Sequence, residues 1–551
     1  MSLQSSLLGR ERLSEADEDD SAHAYQPLVL EEVSSFLPEG SSLREIGTDT
    51  DPPEVGRFSQ DPTEHGEVEE GPVMEWFDFS SAASIWEMAS SWMQAVVNLE
   101  ITMLGGGILL LPYVFKSLGL LVGPVALLIV AIMAYYTVHL LMECSKLTGL
   151  HTYVGVGKAA FKQYGVALVN FVEFLNTYGV LTTYLIIVEE QVHVMLPLLP
   201  KWWQENWVLA SNQGLLIILV VGVVLPLSLV PKISYLRFSS FLSLMLTGFA
   251  AIVVIFRSGE SVYQQGLSNV IEGVHLFGYT APSGSSSGGG APENCQLYLI
   301  TSDLPGALGA LPIMFLAFTC HINVFHIYRE VRPRHIVVLD SIAALDFVFT
   351  FIYYVIVGTF GYALFCQNTP GDVLTGFASN DMAADAARIG VMLAYCMVYP
   401  MLCFPCRHSL HEIVFPSQHL FSWKHHIGET LLIVFGSLIL AILIPAIATV
   451  YALVGAVTAS LLVFLMPGMF YLKLERGSFF RGADWLWQQV NLSAWSTYPG
   501  NYKRIPAIGM LSVATVLAII CSIVTFIQLV LSFHYNAGSV FIHYAKQDFY
   551  A

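Results

Sequence analysis

Glu100, His321 and Asp346 each lie in a run that otherwise carries little charge: VNLEITMLGGGILLLPYVF, LPIMFLAFTCHINVFHIY and DSIAALDFVFTFIYYVIV. An ionisable group placed in hydrocarbon is expensive and marks an ion or proton pathway by default. A carboxyl or an imidazole at that depth can take up and release a proton. Each of the three also has a structural reading. Glu100 and Asp346 can pair with Ser, Thr or water, and His321 can satisfy a backbone carbonyl.

The first run holds a second chemical feature, Gly105-Gly106-Gly107. Three glycines weaken a helix by roughly 2–3 kcal/mol relative to alanine. Backbone that leaves the helix inside a membrane survives only where it lines a cavity. There it exposes N–H groups at a positive half-helix end, which can hold a carboxylate. The other use of such a triplet is close packing of helices.

These residues must be positioned by membrane-spanning helices. The chain has 551 residues, a mean hydropathy of +0.62, 55% hydrophobic and only 12% charged residues. A soluble domain has about 25% charged residues. Eleven apolar spans are expected, at about 92–115, 119–144, 165–196, 211–230, 234–256, 304–328, 337–365, 384–405, 427–447, 449–472 and 506–533, each long enough to cross roughly 30 Å of hydrocarbon. Pro231-Lys232 and Pro445 separate the two near-contiguous pairs. With the N-terminus cytosolic, the cytosolic loops carry fifteen Lys and Arg and the opposite side five. That bias fits both the orientation and the odd count.

The net charge of −18 belongs to the tail, because residues 1–75 hold 19 Asp and Glu against four Arg. Residues 1–73 are read as a disordered acidic cytosolic tail, and 74–90 as an interfacial segment ahead of the membrane domain 91–535. Residues 257–303 form a long non-cytosolic loop around the flexible PSGSSSGGGAP, and 536–551 a short non-cytosolic tail. No basic patch points to nucleic acid, and no cleavable signal precedes the tail.

VNLEITMLGGGILLLPYVFKSLG resembles the first span of the amino acid/auxin permease family, which includes sodium-coupled neutral, proton-coupled and vacuolar amino acid transporters. The shared form is G-x-G-I-L-x-L-P followed by Y-x-F-K-x-x-G. LPIMFLAFTCHINVFHIYREV is similar to the family's sixth span, VGTFGYALFCQNTPGDVL to the end of the seventh, YPMLCFPCRHSLHEIVFP to the end of the eighth, and LVGAVTASLLVFLMPGMFYLKL to the tenth. The resemblance runs over about residues 90–533. It implies an all-α polytopic, LeuT-like protein whose first ten helices form two inverted five-helix repeats, plus one extra helix. Substrate would lie between broken helices one and six.

On that resemblance, Thr102, Gly105, Gly106 and Gly107 would meet the carboxylate of an amino acid. Ala317, Phe318, Thr319 and Cys320 of span six would line its α-amino and side-chain ends, although Phe318 also reads as ordinary packing. Tyr178 and Tyr399 are candidate gates. Coupling departs from the family pattern. Its sodium-coupled members carry an asparagine four residues before the first core glycine, where this chain has Ile101, and a hydroxyl residue near the Y-P of span eight, where it has Val398. Neither side chain offers sodium an oxygen. Protons, exchanged at Glu100, His321 or Asp346, become the favoured coupling ion, with sodium on backbone carbonyls the less favoured one.

Of the eight cysteines, only Cys295 and Cys366 fall at or near non-cytosolic loops. They are expected either to form a disulfide, which recurs between outer loops of related transporters, or to remain two free thiols. No metal site, other cofactor or catalytic constellation is expected, and the chain reads as a transporter and not an enzyme. The alternative is an amino-acid sensor that signals through its acidic tail to a cytosolic partner. Tyr25-Gln-Pro-Leu28 has the Y-x-x-Φ form read by clathrin adaptors, which favours an endolysosomal or vacuolar membrane over the cell surface.

Overall fold

The computed structural model of the chain describes residues 82–198, 212–230, 237–265, 272–278, 295–331, 335–379, 381–416, 422–444, 447–476 and 501–547. The acidic tail, with Tyr25 and Leu28, lies outside these, as do residues 74–81 and the PSGSSSGGGAP run.

Helix α1 (Ala82–Met103) enters the first span and stops at the glycines, and α2 (Gly107–Leu118) completes it after a bend of 57°. Then follow α3 (Val122–Thr148), the short α4 (Tyr153–Phe161), α5 (Gln163–Met195), α6 (Gln213–Ser228) and α7 (Arg237–Gln265). The second half holds α8 (Leu304–Ala317), α9 (Val324–Glu330), α10 (Ile336–Phe365), α11 (Met382–Val414), α12 (Trp423–Leu443), α13 (Ile447–Glu475) and α14 (Asn501–Gln547). Among the described residues, eight helices are long and apolar enough to cross a membrane, and the bent α1–α2 pair makes nine. Helices α6 and α8 are shorter apolar segments.

Composition explains which faces turn outward. Ile132, Ile252, Phe256, Phe349, Leu432 and Leu531 are large, apolar and exposed, as a face toward lipid tails requires. Several polar side chains in the spans are turned inward and paired, as where Thr458 Oγ1 of α13 lies 2.9 Å from Asn176 Oδ1 of α5. Most of α5 is buried, whereas α14 is largely peripheral. Helix α13 winds as a π-helix over Gly455–Leu465, and Gly455 lets it close against the Pro312 carbonyl of α8, where any Cβ would collide.

The long loop between α7 and α8 departs from the all-α expectation. It contains two parallel strands, β1 (Val274–Gly278) and β2 (Leu297–Thr301), with Val274 opposite Leu297 and Gly278 opposite Thr301. The cause is a set of backbone donors that need acceptors. The α2–α3 turn exposes the amides of Leu120 and Leu121, which donate to the carbonyls of Tyr298 and Leu299 at 2.9 and 3.0 Å. Gly119, at φ +101°, lets the turn pass β2, since a Cβ there would strike the Leu299 carbonyl.

A disulfide joins Cys295 to Cys366, so that β2 is tied to the C-terminal end of α10. Lys116 of α2 donates to the Thr369 carbonyl at 3.3 Å. The fully buried Arg388 holds the α10–α11 connection from inside, donating to the carbonyls of Leu374, Phe377 and Ala378 at 2.9, 2.7 and 3.3 Å and pairing with Asp385. The disulfide closes a separation of 71 residues, and cross-links of that kind stabilise by roughly 2–4 kcal/mol. Cys295→Ser is therefore expected to lower the thermal midpoint of the purified protein, to the value that reductant gives the wild type. Equal midpoints for oxidised wild type and variant would contradict this.

Candidate functional site

The break between α1 and α2 strips partners from backbone groups that the membrane cannot satisfy. The amide of Leu104 still reaches the Glu100 carbonyl at 2.7 Å. The Met103 carbonyl instead accepts from Tyr354 Oη at 2.6 Å. On the other side of the gap, the Tyr451 hydroxyl closes against Gly107.

A second break faces the first. Helix α8 ends at Ala317, the chain turns through residues 318–323, and α9 resumes the direction. Helix α2 packs on α8 and α1 on α9, so the two broken helices cross antiparallel with their gaps together. Tyr354 Oη also lies 3.2 Å from the Ala317 carbonyl. One hydroxyl thus meets the carbonyl ends of both α1 and α8, the negative poles of two half-helices.

Side chains from four helices close on the glycines. A Cβ at Gly105 would lie 2.9 Å from Tyr184 Oη, one at Gly106 3.1 Å from Ile187 Cδ1, and one at Gly107 2.9 Å from Tyr451 Oη and 3.1 Å from Ala317 Cβ. Tyr395 stacks against Tyr184 with ring centroids 4.7 Å apart, and its buried hydroxyl has no partner. Of the residues read as substrate-binding, Gly105, Gly106, Gly107 and Ala317 therefore come together.

The others are engaged differently. Thr102 Oγ1 donates to the Asn98 carbonyl at 3.0 Å and accepts from Asn323 Nδ2 at 3.2 Å, which links α1 to the second break. Thr319 Oγ1 donates to the Phe315 carbonyl at 3.2 Å, and Cys320 is buried. Phe318 is fully buried, stacked on Phe347 at 5.7 Å and edge-on to Tyr354 at 5.5 Å, so its packing role is plain. The candidate gates lie elsewhere. Tyr178 stacks on Phe174 and presses its hydroxyl against Gly436, and Tyr399 bonds Ser437 Oγ at 2.6 Å, so both face α12 and not the break. Helices α5 and α11 do send tyrosines to the break, but these are Tyr184 and Tyr395, joined by Tyr354 of α10 and Tyr451 of α13. Sequence alone gave no reason to prefer them among so many aromatics.

Beside the break lies a carboxyl pair. Thr350 Oγ1 donates to Glu100 Oε2 at 3.0 Å. Asp346 is one helical turn before Thr350, on the same face of α10. It is fully buried beside Glu100, and neither of its oxygens has a donor. A proton or a cation is the partner that such a group lacks. His321 is held apart from this pair. His321 Nε2 lies 2.9 Å from Thr137 Oγ1, which also reaches the Ala134 carbonyl at 2.7 Å, and Nδ1 has no partner.

The family profile described as "Transmembrane amino acid transporter protein" matches residues 88–495. The chain belongs to this family. It is 27% identical over 396 residues to the sodium-coupled neutral amino acid symporter 2 of Danio rerio, covering 70% of this chain and 76% of that protein. Among solved structures it is similar to a Na+-coupled sialic acid symporter (11% identity, TM-score 0.37, 80% of this chain and 97% of that one) and to a manganese transporter of Eremococcus coleocola (13% identity, TM-score 0.39, 82% and 98%). This amino acid transporter is a multi-pass membrane protein and not an enzyme.

Gly107 tests the site sterically. Gly107→Ala is expected to reduce amino acid uptake by about tenfold or more without loss of protein from the membrane, because Ala317 is too short to turn aside. Gly248→Ala, where a Cβ meets nothing within 4 Å, should leave uptake unchanged. Equal uptake by both variants would remove the glycines from the site.

Proposed function

We propose that this transporter is a proton-coupled secondary carrier that moves amino acids by alternating access around the two breaks. The amides at Gly105–Gly107 take the substrate carboxylate, and the carbonyl ends at Met103 and Ala317 take its α-ammonium. Each charge then meets the half-helix pole of opposite sign. Glu100 and Asp346 carry the coupling proton, while His321 serves as a link to Thr137.

The observation that carries the reading is Asp346, whose two oxygens are buried without a donor beside a second carboxyl. Ile101 supports it by withholding a side-chain oxygen from any sodium ion near the break. Sodium coupling is the second reading, favoured by the name of the Danio rerio relative. Eleven crossings follow if α6 and α8, with α9 continuing it, each span the membrane in addition to the nine. An inverted repeat relating the two breaks, an N-terminus in the cytosol and an endolysosomal or vacuolar location complete the proposal. Tyr25-Gln-Pro-Leu28 is its route to that compartment through a clathrin adaptor.

Asp372, on the expected non-cytosolic side, supports an acidic surrounding. Burial pushes its carboxyl up to about 7, against the pull of the Leu374 amide, Gln191 Nε2 at 2.6 Å and Arg388. An acid that holds its proton more tightly folded than unfolded adds stability at low pH and loses it as pH rises from its ordinary value near 3.8 to about 7. The purified protein is expected to melt higher at pH 5 than at neutral pH, and Asp372→Asn to shrink that difference. An unaltered pH dependence in Asp372→Asn would count against the role of Asp372.

Coupling is tested in proteoliposomes given a labelled amino acid mixture under a pH gradient or a sodium gradient. Uptake should follow the pH gradient alone, and Asp346→Asn should abolish concentration of substrate while leaving exchange of substrate across the membrane. Uptake driven by sodium alone would transfer the assignment to the second reading.

A further inference from the structure

The helices that send Tyr184, Tyr395 and Tyr451 to the break also grip one short segment beyond it, residues 369–378. Tyr184 closes on Gly105. Gln191, two turns further along the same face of α5, donates through Nε2 to Asp372 Oδ2 at 2.6 Å. Helices α11 and α13 run the other way, so their holding residues precede the tyrosines. Arg388, two turns before Tyr395, donates to the carbonyls of Leu374, Phe377 and Ala378. Ile447, one turn before Tyr451, lies 3.6 Å from where a Gly371 Cβ would be. Lys116 of α2 holds the Thr369 carbonyl. The segment is thus laid across the ends of α2, α5, α11 and α13, about 10 Å along α5 from the tyrosine that meets Gly105. It roofs the break.

Asp372 is buried in this roof, where its Oδ1 accepts from the Leu374 amide at 2.9 Å. Among the described residues no cation bonds it: Arg388 is spent on the carbonyls and on Asp385, and Lys116 on Thr369. Glu189 and Glu190, just before Gln191 on α5, each add a buried oxygen without a partner. Tyr395 and Tyr451, the phenols that α11 and α13 bring to the break, add no charge. Gln191 Oε1 is itself buried without a partner, so this amide holds in reserve the acceptor that a protonated Asp372 needs. We infer that Asp372 is a second proton-binding site of the transporter: residues 369–378 close over the break as Asp372 takes up a proton, and Gln191 turns its amide to accept the new hydrogen bond. The inference rests on the proposal that substrate binds at Gly105–Gly107, beneath the roof. A carboxylate shut in the roof lacks a counter-charge, whereas an opened roof returns it to water. Closure and proton uptake are therefore one equilibrium. Burial that pushes the Asp372 carboxyl from its ordinary 3.8 up to about 7 agrees with this. The closed roof is favoured at low pH and loses that advantage as pH rises to about 7.

The test is hydrogen–deuterium exchange over residues 369–378, read by mass spectrometry on the purified full chain at about pH 5 and about pH 8. After correction for the intrinsic rate, protection in wild type should fall by about tenfold or more between the two. Asp372→Asn fixes the neutral form and keeps a donor for Gln191 Oε1, so it should stay protected at the higher pH. Gln191→Met keeps the length of the side chain and removes the amide, so it should be less protected than wild type at the lower pH. Equal protection of wild type at both values overturns the inference, as does an Asp372→Asn variant that still loses protection at the higher pH. A Gln191→Met variant protected like wild type also overturns it, which keeps the test decisive if Asp372→Asn does not fold. Exchange needs neither substrate nor a gradient, so it is independent of the coupling assignment. Uptake that follows pH while protection does not removes this inference alone. Uptake unaffected by Gly107→Ala, with protection that still follows pH, removes the substrate reading and leaves the proton site standing.

Discussion

Backbone amides and carbonyls placed in hydrocarbon must find partners inside the protein, and the arrangement around residues 103–107 follows from that constraint. Glycine removes the helix there, and the freed groups then dictate what must surround them: a donor for Met103, and a second broken helix whose own Ala317 carbonyl shares that donor. Tyr354 of α10 supplies that donor, and Tyr451 of α13 closes against Gly107. The same requirement explains why α13 approaches α8 so closely at Gly455.

The features legible in the sequence were those with few alternatives. Three consecutive glycines in an apolar run leave little else to form, and the break is where they stand. Cys295 and Cys366 were the two cysteines assigned to the outer side, and they are joined. Glu100 and Asp346 stood out because carboxyls are rare in hydrocarbon, and Asp346 lies one helical turn before Thr350, which donates to Glu100. Gly105, Gly106 and Gly107 share their surroundings with Ala317 because both breaks fall at the same depth.

What could not be read depended on helix rotation and on distant contacts. Tyr178 and Tyr184 both belong to α5, yet one turns to Gly436 and the other to Gly105. Hydropathy ranks them alike, and only the packing of α5 against its neighbours separates them. Thr102 looked like a free hydroxyl at the site, but its proton is claimed one turn back by Asn98, as helical threonines commonly arrange. Strand β2 was hidden for another reason. The segment QLYLIT follows a flexible run, and its partners are the amides of an inter-helix turn about 180 positions earlier, a pairing that no local pattern encodes.

The clasp around β2 has a mechanical meaning. Backbone bonds fasten β2 to the α2–α3 turn, the Cys295–Cys366 bridge fastens it to the end of α10, and Lys116 ties α2 to the segment just beyond. The neighbouring ends of α2, α3 and α10 are thereby tied together. None of these ends can leave the others without breaking the disulfide or a hydrogen bond, so the strain of any displacement falls on the triple glycine, the weakest stretch of the first span.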